Sequence, residues 1–202
     1  MSFNLKAFIK TNYLSILIII FGLFGFVAAF TLTVEKFDVL RNPNTELACN
    51  INSVFNCSTV MKSVYAEAWG IPLSLLGVAG YPATILVGLI YIDRKKTNLI
   101  LSYLVTLGPL GAFSLSMYFM FVTAYFIGAF CPWCVLSAVS SSVVFFSVLT
   151  LQIQEDNLKL PPKLTQFLQD KIKARWNVWF VIAFFIGALL FEWMPFYIAS
   201  LK

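Results

Sequence analysis

An all-α integral membrane protein is the fold class predicted for this 202-residue chain, and two observations predict it. The chain is 60% hydrophobic and 11% charged, with a mean hydropathy of +0.86, whereas a soluble domain carries about a quarter charged residues. Its apolar residues are also gathered into five runs of about 20, the length a helix needs to cross the hydrocarbon core of a bilayer.

The first run, Tyr13 to Leu32, follows Lys6 and Lys10. It is longer than the apolar core of a secretory signal, about 7 to 15 residues, and reads as an uncleaved anchor. A polar loop of about Thr33 to Ile71 follows. Within that loop Met61, Val64, Tyr65 and Ala68 recur at i, i+3, i+4 and i+7. That spacing predicts one apolar helical face on a segment lying over the bundle mouth. Lys62 and Glu67, between those positions, read as surface charges. The second, third and fourth runs are Pro72 to Ile92, Asn98 to Val122 and Cys131 to Leu151. Gln154 to Arg175, with Pro161 and Pro162, reads as a solvated linker carrying one short helix. The fifth run, Trp176 to Ala199, has Trp176 and Trp179 at one end and Trp193 and Tyr197 at the other, as aromatic belts require.

Five spans place the two ends of the chain on opposite sides. With the N-terminus inside, Lys6, Lys10, Arg94, Lys95, Lys96, Lys159, Lys163, Lys171, Lys173 and Arg175 are cytoplasmic, which is 10 of the 14 positive residues. Short loops rich in Lys and Arg stay on the cytoplasmic side, so this orientation is the one predicted. The net charge of +5 is then a topology signal. It is no nucleic-acid footprint, because no aromatic-basic motif accompanies the charges.

In that orientation all four cysteines face outward. Cys49 and Cys57 lie in the large external loop, and Cys131 and Cys134 stand where the fourth span begins. Disulfides persist on that side of a membrane. Three readings of the cysteines compete. Two structural disulfides would explain the loop pair, but a Cys-x-x-Cys closes a ring so small that little chain entropy is removed. A four-thiolate zinc centre would use all four, yet the seven residues between Cys49 and Cys57 exceed the usual spacing of zinc ligands, and the chain has no His. Thiol–disulfide chemistry suits the second pair best. A helix N-terminus favours thiolate, Pro132 fits the first helical turn, and a lowered thiol pKa gives a more oxidising disulfide.

Two redox pairs on one membrane protein imply a relay. The loop pair can meet soluble dithiols, while the pair at the helix head lies at the depth of a lipid-soluble electron acceptor. A quinone fits that role, since the sequence has neither a haem-attachment motif nor a Gly-rich dinucleotide fingerprint.

The stretch from Cys49 through Cys57 and Ser58, with Ser63, Tyr65, Gly70 and Ser74 downstream and then CPWCVLSA, resembles the vitamin K epoxide reductase family in its bacterial and archaeal branch. The resemblance covers roughly Leu14 to Leu151. It implies a four-helix transmembrane bundle around a quinone site, with a fifth transmembrane helix outside it. Residues 1–153 would then form the catalytic domain, 154–175 a cytoplasmic linker and 176–202 the fifth helix. The implied activity is oxidation of a soluble or anchored thioredoxin-like dithiol protein, with electrons passed to ubiquinone or menaquinone in the inner membrane. By the same resemblance Cys134 faces the quinone, Cys131 exchanges with Cys134 or Cys57, Cys57 is the inner shuttle thiol and Cys49 the outer one. The loop would have to fold over the head of the fourth helix for that exchange. Ser74 resembles the family's polar residue at the quinone. Leu73 and Ala138 stand where the animal enzymes carry an Asn and a Tyr that contact the vitamin K head group, so quinone reduction is expected rather than epoxide reduction. Relatives often continue into a fused thioredoxin-like domain; here the sequence stops at Lys202, and the partner is expected to be either separate or outside this stretch of sequence.

Overall fold

The computed structural model describes residues 5–173, apart from positions 43, 44, 46, 48, 52, 53, 69, 94, 95 and 160, together with 186 and 187. Six helices account for most of it: α1 (Leu5–Arg41), α2 (Cys57–Lys62), α3 (Leu73–Asp93), α4 (Leu99–Val122), α5 (Pro132–Gln154) and α6 (Pro162–Lys173). Four of these, α1, α3, α4 and α5, are long and apolar enough to cross a membrane. The predicted fifth span falls outside the described residues.

The bundle is built on α1, which packs along both α3 and α5, while α4 packs on α5. Small residues set the α1–α3 approach. A Cβ at Gly88 would stand 2.7 Å from Ile19 Cγ1, one at Gly77 2.8 Å from Ala29 Cβ, and one at Gly25 would land on the Tyr81 ring. Such close backbone approach is how membrane helices gain dispersion contact when lipid offers no hydrophobic drive between them. Helices α3 and α4 meet much less, leaving a gap on that side of the bundle.

At the end away from the cysteines a buried polar network closes that gap. Gln152 Nε2 donates to Tyr91 Oη (3.0 Å) and to the Ser102 carbonyl (3.2 Å), and Thr97 Oγ1 lies 3.1 Å from Tyr91 Oη and 2.7 Å from Ser102 Oγ. It joins α3, α4 and α5 where apolar packing alone is sparse, and in so apolar a setting each satisfied bond matters more than it would in water.

Two expectations for the external loop are corrected. Helix α1 runs on to Arg41, well past the Leu32 at which its apolar run stops. Hydropathy marks where a helix leaves lipid, not where it ends, and Val39 still has a buried cluster to pack against. The amphipathic helix over Met61 to Ala68 does not form as one piece. Helix α2 stops at Lys62, because Ser63 turns extended (φ −69°, ψ 148°) and its hydroxyl donates to the Val60 carbonyl (2.7 Å). A single 3₁₀ turn, Val64–Ala66, follows, then a two-strand antiparallel hairpin of β1 (Glu67–Ala68) and β2 (Ile71–Pro72), turned at Gly70 with φ +77°. Met61 is buried as predicted, but Val64 is 82% exposed.

Candidate functional site

The loop is stitched to the start of α5 by backbone. Phe55 and Phe130 form a parallel bridge, with Asn56 N–H donating to the Phe130 carbonyl (2.9 Å) and Phe130 N–H to the Val54 carbonyl (2.6 Å). Each bridging strand ends one or two residues before a cysteine, so the bridge brings Cys57 and Cys131 together. Asn56 then caps α2, its side chain accepting from Thr59 N–H (3.0 Å). A second asparagine brings in Cys49: Asn50 Nδ2 donates to Ser58 Oγ (2.8 Å), and Ser58 N–H donates to Asn50 Oδ1 (3.1 Å). Cys49 and Cys57 are joined as a disulfide, whereas Cys131 and Cys134 are free thiols.

Three sulfurs stand in line of contact. Cys131 Sγ lies 3.2 Å from Cys57 Sγ, itself bonded to Cys49. All three belong to one apolar cluster with Val39, Leu47, Val60, Met61 and Ala129, and Trp133 and Cys134 pack against it. Water is excluded there: Cys57 and Cys131 are 0% and 1% exposed, and Cys49 keeps 7%. Cys49 is thus the more accessible loop cysteine, but it is not open at the surface. Cys131 is the extended N-cap residue of α5, with Pro132 in the first turn. The Cys134 thiol, joined by the N–H groups of Cys134 and Trp133, hydrogen-bonds the Cys131 sulfur and holds its pKa below the ordinary thiol value, outweighing burial and the charge of Glu35.

Cys134, one turn into α5, lines a cavity of about 450 Å³ within the bundle. Its walls come from all four spanning helices: Leu32 on α1, Leu76 and Gly80 on α3, Gly108 and Leu115 on α4, and Cys134 and Ser137 on α5. Along the α3–α4 gap the wall is largely small and aliphatic. Few polar groups enter. Ser74 lines the cavity, its hydroxyl 2.9 Å from Thr33 Oγ1 on α1. Tyr81 Oη donates to the Ser137 carbonyl (2.9 Å) and lies 2.8 Å from Ser137 Oγ. Lys36 and Met61 stand at the cavity wall beneath the hairpin. A space of this size, mostly apolar and carrying a thiol and a few hydroxyls, suits a planar, lipid-soluble ring.

The family model described as the vitamin K epoxide reductase family matches residues 16–149. The chain belongs to this family. It is a membrane oxidoreductase that works through its cysteines, and the family in general uses quinones. No curated protein matches the chain well enough to suggest a substrate or partner.

All four predicted cysteines and Ser74 thus lie within one continuous unit, with the loop disulfide on its outer side and the cavity on its inner side. The disulfide takes up two of the thiolates a four-cysteine zinc centre would need. Sequence reasoning missed Asn50, Asn56, Phe55 and Phe130, which build the contact, and also Glu35. Glu35 lies with its Oε2 3.4 Å and Oε1 3.7 Å from Cys49 Sγ. The asparagines carry no periodic signal. Their spacing from Cys49 and Cys57 acquires meaning only once the loop is folded.

Proposed function

We propose that this protein carries two electrons at a time from a dithiol protein outside the cytoplasm to a membrane quinone. The reading rests above all on the 3.2 Å contact between Cys57 and Cys131, which joins a loop disulfide to a thiol pair whose second member lines the cavity.

In each turnover a partner thiolate attacks Cys49, and Cys57 leaves as thiolate. The partner's second thiolate then releases Cys49, so the partner departs oxidised and the loop is a dithiol. Cys57 attacks Cys131 of the Cys131–Cys134 disulfide, and Cys134 leaves as thiolate on the cavity wall. Cys49 then attacks Cys57 and frees Cys131. A loop disulfide beside two free helix thiols, the pairing described above, is what this step would leave. A quinone bound in the cavity would supply the two-electron acceptor that returns Cys131 and Cys134 to a disulfide. Cys134 is the residue placed to touch it, Ser74 and the Tyr81–Ser137 pair offer hydrogen bonds, and the apolar walls exclude water that would compete. Leu73 and Ala138, in place of the Asn and Tyr of animal enzymes, leave a quinone rather than an epoxide as the substrate.

The orientation that serves this reaction puts the cysteine end outside the cytoplasmic membrane. The excess of Lys and Arg on the segments at the opposite end supports it. The deciding experiment supplies the purified protein with a reduced thioredoxin-like protein and a short-chain quinone and follows quinol by its ultraviolet absorbance. Quinol should form catalytically and stop in Cys134→Ala. Quinol formation that persists in both Cys57→Ala and Cys134→Ala would overturn the proposal.

A further inference from the structure

We propose that Glu35 is the proton acceptor for Cys49, a catalytic residue of the step that passes electrons from the loop to the helix pair. The inference rests on the relay proposed above and adds to it the proton that the relay must move.

In the last exchange Cys49 begins as a thiol and Cys57 is bonded to Cys131. The Cys49 sulfur bonds to Cys57, the Cys57–Cys131 bond breaks, and its electron pair leaves on Cys131 as thiolate. Cys49 must lose its proton as it attacks, because the thiolate and not the thiol is the nucleophile. Water is a poor candidate to take that proton, since Cys49 is 7% exposed and sits in an apolar cluster. Among the described residues Glu35 is the carboxylate in contact, with Oε2 3.4 Å and Oε1 3.7 Å from Cys49 Sγ. These distances belong to the state after exchange, in which Cys49 is already bonded to Cys57 and Cys131 is free at 3.2 Å. The acceptor therefore touches the attacking sulfur, and the leaving sulfur touches Cys57.

Charge is conserved within the cluster during this step. A negative Glu35 acts against a thiolate on Cys131. When the Cys49 proton moves to Glu35, that charge disappears as the new one appears on Cys131, so the buried site gains none. Without such an acceptor the Cys131 thiolate would form beside a still-charged Glu35 and the thiolate already left on Cys134, which an apolar cluster strongly disfavours.

Among the described residues, the titratable groups that act on Glu35 include Cys134 on α5 as well as those nearer to it. Asp38 is the next acid along α1, Cys49 and Cys57 approach from the loop and α2, and Cys131 from the head of α5. Lys36, the neighbouring cation, is turned toward Glu67 instead.

The test uses full-length protein in detergent, reduced at both pairs, freed of reductant and mixed with excess short-chain quinone in a stopped-flow instrument. Wild type should give two phases of quinol. The first equivalent comes from Cys131 and Cys134 and the second after the loop dithiol has recharged them. Glu35→Gln should leave the first phase in place and slow the second by roughly 100-fold near neutral pH, the low end of the range for general-base catalysis. That second phase should then recover about tenfold per pH unit as Cys49 ionises unaided. Glu35→Asp should restore part of the neutral rate. Asp38→Asn, which also removes one negative charge from α1, should keep the wild-type profile.

The proposal is overturned by a second phase in Glu35→Gln with the rate and pH profile of wild type, by an equal change in Asp38→Asn, or by loss of both phases in Glu35→Gln, which would make the residue structural. Absence of quinol from wild type in either phase would instead sink the quinone relay itself, so the two failures are distinguishable.

Discussion

Lys36 holds its ammonium out of water on the cavity wall: the residue is 6% exposed, and Nζ donates to the Met61 carbonyl at 2.6 Å and pairs with Glu67 Oε1 at 2.9 Å. Met61 belongs to α2 and Glu67 to β1, so one side chain of α1 ties down two parts of the segment over the cavity. Lys36→Met keeps the aliphatic stem but strips the Met61 carbonyl of its charged donor, and should cost about 2 kcal/mol. Glu67→Gln touches a carboxylate 39% exposed and should cost less than about 1 kcal/mol. Thermal unfolding in detergent would rank the two, and equal losses would mean that the ion pair, not the carbonyl, holds the segment. In the sequence Glu67 reads as a surface charge. Nothing local says that an acid 31 positions further on will meet this lysine, because the pairing is made by the hairpin that folds Glu67 back over α1.

At the scale of elements, the four spans were legible because hydropathy over about 20 residues is a strong signal, although the first runs nine residues and the third five beyond the end of its apolar run. The segment over the cavity was not. Its i, i+3, i+4, i+7 pattern is a true helical period, but a period cannot reveal that Ser63 will donate to the Val60 carbonyl or that Glu67–Ala68 will pair with Ile71–Pro72. The same limit hid the Phe55–Phe130 bridge, which joins residues 75 positions apart. That bridge alters one expectation: the loop need not swing onto the fourth spanning helix to exchange, since it already rests there. A Cys49→Ala, Cys134→Ala double variant should therefore trap a Cys57–Cys131 disulfide quickly and nearly completely under mild oxidation. Non-reducing peptide mapping would show the crosslink. Two persistent free thiols would mean that the pairs act separately and that the relay, though not the bundle, must be abandoned.

For the whole molecule, one geometric fact constrains the rest: the outer turns of α1, the start of α3, the end of α4 and the head of α5 all gather at the end of the bundle that carries the four cysteines. The other end carries the α3–α4 connection and α6. The helix α6 is amphipathic, with Leu164 and Phe167 exposed among Lys163 and Lys171. A helix of that kind beside a span end lies in the plane of the bilayer surface. Because positive charge collects on segments at that end, it should be cytoplasmic, and the redox end should face the oxidising side. The native cysteines are poor reporters of sidedness, since even Cys49 keeps only 7% exposure. Ile51, 69% exposed in the loop, and Gln166, exposed on α6, are better positions. A membrane-impermeant maleimide applied to intact cells should modify Ile51→Cys and spare Gln166→Cys until the membrane is permeabilised, with labelled peptides identified by mass. The opposite order would place the thiol pairs in a reducing compartment, where a dithiol oxidase has no disulfides to sustain, and the proposed direction of electron flow would fall with the topology.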